Sequence, residues 1–120
     1  MSRLVEIQAR FLKEENSMKL GHLASDLARI ASLTEMKAGK TALKSVLEEA
    51  KYFSEWAATA ANVPLETQML LAEIQSFIAQ KELEFDSMFE NQEWRAGLRS
   101  RARAWSDELL KKAGLLGNAP

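Results

Sequence analysis

Phe89-Glu90-Asn91-Gln92-Glu93-Trp94 parts two long runs of helical periodicity with four polar residues and neither glycine nor proline. Before it, Leu70, Ile74, Phe77, Ile78, Phe85, Met88 and Phe89 recur as one apolar face; after it, Trp94, Leu98, Ala102, Trp105 and Leu109 recur as another. Both follow helical spacing. Taken as one helix, 65–113 would be about 70–75 Å long, against about 30 Å for the helix before it. Half of such a helix would find no partner within the chain. A turn near Asn91 instead lets the last helix return alongside the others, and Ser87 with Glu90 has the spacing of a capping box that starts a helix there.

The same reading extends toward the N-terminus. Asn62-Val63-Pro64 marks a tight turn: Asn tolerates a left-handed backbone, proline pushes Val63 extended, and Pro64 suits a first helical position. Upstream, residues 42–61 carry Leu43, Val46, Leu47, Phe53 and Trp56 at core spacing, with Gly39 as a stop signal and Thr41 as N-cap. Leu20, Leu23, Leu27, Ile30 and Leu33 form the preceding stripe. Leu4, Ile7, Phe11 and Met18 form an earlier one in a different phase. Gly21 lies at the offset, and a glycine inside a helix costs about 1 kcal/mol relative to alanine, so a break is expected there. Near the C-terminus Lys111, Lys112 and Gly114-Leu115 fit a helix end.

The chain therefore reads as one all-α domain, 1–120. Its core is a four-helix bundle with helices near 22–37, 42–61, 65–89 and 93–113, preceded by a helical arm at 3–19 and followed by a loose tail at 117–120. Hydrophobic residues at 47% and charged residues at 28% give a globular balance. No apolar window reaches the roughly 18 residues of a membrane span. No leader is expected either, because Arg3, Glu6 and Arg10 fall where a signal peptide is apolar. The absence of cysteine fits a reducing cytoplasm.

Catalytic chemistry finds little material. Without cysteine there is no thiolate nucleophile, and the single histidine, His22, has Lys19 where a di-iron bundle would place a carboxylate. The glutamates lie off the apolar stripes, so no catalytic residue, cofactor or metal site is assigned. Gly39-Lys40-Thr41 lacks the earlier glycine of a phosphate-binding loop, with Thr34 in its place. Leu23 to Ala28 opens like a helix-turn-helix, but no turn follows.

His22 followed by Leu23-Ala24-Ser25-Asp26 on a helical bundle of this length resembles the histidine phosphotransfer domains in architecture and in one residue. The resemblance implies a phosphotransfer relay at His22. Against it, Ser25 stands where that family has lysine, and Asp26 would repel a phosphoryl group one turn away.

Charge is unevenly spread although the formal net charge is −1. From Pro64 to Glu93 seven acids stand against Lys81 alone; from Trp94 onward six bases stand against Asp107 and Glu108. Two readings follow. The acidic third and basic fourth core helices pair their charges, or Arg95, Arg99 and Arg103, spaced four apart, form a stripe for nucleic acid or an acidic partner. Lys81, between Ile78 and Phe85, either faces a cavity or seam or extends its charge from the stripe's edge to water.

The leading expectation is a non-enzymatic interaction or scaffold protein. It self-associates as a homodimer through Leu4, Ile7, Phe11 and Met18 of the arm, which would otherwise face water, with no membrane partner. Nucleic-acid binding through the arginine stripe ranks second and phosphotransfer at His22 third.

Overall fold

A computed structural model describes residues 3–60 and 62–117 of the chain. Five α-helices pack together: α1 Arg3–Lys13, α2 Asn16–Leu33, α3 Lys40–Ala58, α4 Leu65–Met88 and α5 Gln92–Gly117. A single 3-10 turn, Lys37–Gly39, leads into α3, and no strand occurs among the described residues. Among the described residues no helix is long and apolar enough to cross a membrane.

The turn at Asn91 is where the length of 65–113 requires it. Asn91 Oδ1 accepts the Trp94 backbone N–H at 2.8 Å, so Asn91 is the N-cap of α5. The Ser87–Glu90 capping box does not form; Ser87 Oγ turns back to the Glu84 carbonyl at 3.1 Å. Asn62 adopts φ 65°, the left-handed closing conformation that asparagine tolerates. Pro64 sits one residue ahead of α4 rather than in its first turn.

Helix boundaries near the N-terminus need correcting. The break falls at Glu14–Glu15, not at Gly21, which lies inside α2. Glu15 is extended, at φ −67° and ψ 154°. The polar run Lys13 to Ser17 has no apolar side chain to hold a continuous helix against the body. A Cβ at Gly21 would meet nothing within 4 Å, so neither turn nor close approach requires glycine there. The arm is thus 3–13 and not 3–19, and Met18 belongs to the first turn of α2. Thr41 is not a cap either, since α3 already begins at Lys40. α5 runs through Gly114 to Gly117, so the C-cap expected at Gly114 is not formed. Of the tail, residues 118–120 lie outside the described residues.

The core lies mainly among α2, α3, α4 and α5, with Leu23, Leu27, Leu43, Leu47, Ile74, Ile78, Leu98 and Leu109 fully buried, and Phe11 of α1 joins it. Neighbouring helices run antiparallel, as Ser106 Oγ donating to the Ala24 carbonyl and Arg99 Nε to Thr34 Oγ1 indicate for α5 on α2. Buried Ala24, Ala31 and Ala102 let α2 and α5 pack closely. Large rings separate the α4 and α5 backbones. Phe77 meets Trp105 edge-on at 5.0 Å and Phe85 meets Trp94 at 6.1 Å. Lys81 lies between those layers, its ammonium 5.1 Å from the Phe77 ring and 5.7 Å from Trp94. The molecule measures 42 × 36 × 20 Å between Cα extremes, about two helix diameters in its thin direction.

Candidate functional site

Three places on this frame carry the residues that the sequence singled out. The first is α1. Ile7 and Phe11 turn inward over α3, where the Phe11 ring stacks on Phe53 at 4.4 Å and lies 5.9 Å from Trp56. Phe11 is only 2% exposed. The expectation that the arm projects from the body with Phe11 in water is therefore corrected. A break six to seven residues before the anticipated one lets the helix fold back. Leu4 and Met18 stay exposed, joined by Val5 and Leu12. α1 is thus covered along one edge and open along the other.

The second place is the corner between α1, α2 and α3. Here His22 Nε2 lies 2.7 Å from Glu14 Oε2 across the α1–α2 joint. One turn further along α2, Asp26 is buried. Its carboxyl is held up at about 8, from an ordinary value of 3.8. Burial is the largest cause; the Glu49 side chain on α3 adds to it as hydrogen-bond partner and like charge, and Arg29 opposes. Arg29 Nη1 stands 3.7 Å from Asp26 Oδ1, whereas Oδ2 has no hydrogen bond of ordinary geometry. At neutral pH this carboxyl is mostly protonated, so the fixed negative charge expected beside His22 is largely absent. Arg3 and Arg10 line a hollow of about 270 Å³ beside His22, but Glu14 and Glu49 line it too, and His22 itself is paired with Glu14. Among the described residues no cluster of three or more His, Cys, Asp or Glu is arranged for a metal ion.

The third place is the arginine stripe, which the structure splits. Arg95 is buried, donates through Nη1 to the Phe89 carbonyl and covers the Phe89 ring. Arg99 donates to Thr34 Oγ1 at 2.9 Å and to the Thr34 carbonyl at 3.4 Å. Both guanidinium groups therefore satisfy carbonyls at helix C-termini, α4 for Arg95 and α2 for Arg99, where positive charge is also favoured by the dipole. Arg103 is exposed and pairs with Glu35 at 3.2 Å. A recess of about 450 Å³ opens beside them, lined by Thr34, Glu35, Lys37, Gln92, Arg95, Ala96 and Arg99.

Charge pairing between α4 and α5 is narrower than the sequence suggests. Arg101 meets Glu73 at 3.0 Å, and Trp94 Nε1 donates to Glu84 Oε1 at 2.9 Å. That contact, after the one from Gln80, holds the Glu84 carboxyl below its ordinary range. Two further α4 acids turn to α3 instead, Glu82 to Lys51 at 2.5 Å and Asp86 to Lys44 at 3.3 Å. The roles of Thr34, Glu35 and Glu49 were not legible in the sequence, because each depends on a side chain that another helix brings to it.

Compared with family models, with characterised proteins and with solved structures, the chain matches none of them.

Proposed function

We propose that the protein is a non-enzymatic interaction protein of the cytoplasm, a four-helix core of α2 to α5 that carries α1 as a self-association arm. One observation carries this reading. α1 buries Phe11 and half-buries Ile7 on its own body yet leaves Leu4 37%, Val5 45% and Leu12 44% exposed. A helix of 11 residues is shorter than the roughly 12–15 that hold alone in water, so α1 depends on packing along both edges. Its sequence suits a two-fold partner. With an axis passing Gln8, Leu4 would meet Leu12 of the partner subunit, and Glu6 would meet Arg10 of the partner subunit, an isologous and self-complementary contact. In this arrangement Leu4 keeps the interface role expected of it, while Ile7 and Phe11 anchor the arm from within.

Nucleic-acid binding through Arg95, Arg99 and Arg103 has less to draw on, because two of the three guanidinium groups are committed to helix ends. The test separates anchoring from association. Val5→Glu with Leu12→Glu should give a folded monomer of unchanged helicity, whereas Phe11→Ala should loosen the arm. If the double variant keeps the oligomeric mass of the wild type, α1 is not the interface.

A further inference from the structure

α4 bears a second line of side chains on the side turned away from the core. Leu65, Met69, Ala72, Ser76, Ala79 and Leu83 succeed one another at alternating steps of four and three residues, the spacing with which two helices seat against each other in a coiled coil. The buried residues of the same helix, Leu71, Ile74, Ile78 and Phe85, belong to other positions of that heptad. Leu65 is 71%, Met69 64% and Leu83 83% exposed, more than any other large apolar side chain among the described residues. They span about 27 Å of helix. Between them Ala72, Ser76 and Ala79 leave a low floor over which a second backbone can pass. Beside the N-terminal half of the line lies a shallow hollow of about 240 Å³ between α3 and α4, floored by Ala58 and Ala72 and rimmed by Glu55 and Gln75.

Charge says what can lie there. No lysine, arginine or histidine occurs between Lys51 and Lys81, whereas Glu55, Glu66 and Glu73 do. Glu66, Glu73 and Glu82 flank the apolar line at the positions that face charged residues of a partner helix. Lys51 meets Glu82 and Arg101 meets Glu73, but Glu55 and Glu66 make no ion pair among the described residues. Two copies joined α4 to α4 would set these acids against each other. We infer that the outward face of α4 binds an amphipathic helix of another protein. The apolar stripe of that helix covers Leu65, Met69 and Leu83, and its Lys or Arg flanks lie against Glu55 and Glu66. This surface is separate from α1 and needs no self-association.

The probe is a labelled helical peptide of about 21 residues, three heptads long, with leucine at its seam and lysine at its flanks. A second peptide carries glutamate at the flanks instead. Anisotropy titration of the full chain should show the lysine peptide binding, more weakly at high salt, and the glutamate peptide binding at least about tenfold less tightly. Met69→Glu with Leu83→Glu should abolish binding at unchanged helicity and thermal stability, since both side chains are exposed. Glu55→Lys with Glu66→Lys should turn the preference toward the glutamate peptide. Failure of both peptides to bind, equal binding of the two, or binding that survives Met69→Glu with Leu83→Glu would overturn the inference. So would a fall in oligomeric mass in that variant, which would give the face to a second copy of the chain.

Discussion

Position 26 puts a carboxyl group among Leu23, Leu27 and Ile30, on the side of α2 that turns toward α3. The folded protein holds its proton up to about pH 8, far above the ordinary 3.8. Folded chain therefore binds this proton more tightly than unfolded chain between those values, and stability from this group falls as pH rises from about 4 toward 8. Asp26→Asn keeps the shape and removes the titration. At pH 8 it should unfold later than wild type by about 1–3 kcal/mol, with the difference shrinking toward pH 4. Parallel stability curves for the two proteins would show that Asp26 is not protonated in the fold. Gly21 lies on the same helix with empty space where a Cβ would stand. Gly21→Ala should raise stability in chemical denaturation by about 0.5–1 kcal/mol; a loss would mean that the backbone there is not ordinary helix.

Among the elements, two breaks that look alike in the structure looked different in the sequence. The turn at Asn91 was legible because a polar run interrupts two long apolar faces and because one unbroken helix would be too long for its neighbours. The turn at Glu14–Glu15 also sits in a polar run, Lys13 to Ser17, yet Gly21 drew the reading away from it. Helix propensity at one glycine amounts to about 1 kcal/mol, less than the burial of Leu20 and Leu23 on either side of it, each worth about 1.5–3 kcal/mol. Packing therefore carries α2 straight through the glycine. The arginine stripe was legible as a stripe and not as three different tasks, because its acceptors are carbonyls whose positions only the fold supplies. Arg95→Ala and Arg99→Ala should each cost about 1–3 kcal/mol by uncapping buried helix ends, and Arg103→Ala no more than about 0.5 kcal/mol. Equal effects of the three substitutions in urea unfolding would contradict this division of labour.

Over the whole molecule, the number of helices, their antiparallel order and most of the core followed from apolar spacing. The placement of charges did not. Acidic α4 and basic α5 are neighbours, but the aromatic layer of Phe77, Trp94 and Trp105 keeps their backbones apart, and Glu82 and Asp86 pair with α3 while Arg99 and Arg103 reach Thr34 and Glu35 at the end of α2. Besides Met18, Met36 and Leu110, the exposed large apolar residues gather in two places, the open edge of α1 and the outward face of α4, and on this account each is an interface. Light scattering coupled to size exclusion, run on the unaltered chain over a wide concentration range, tests the first of them most directly. A mass of two chains, about 27 kDa from the 13.5 kDa of one for an isologous pair, is the expected result. A single-chain mass that persists at the highest concentration would contradict it.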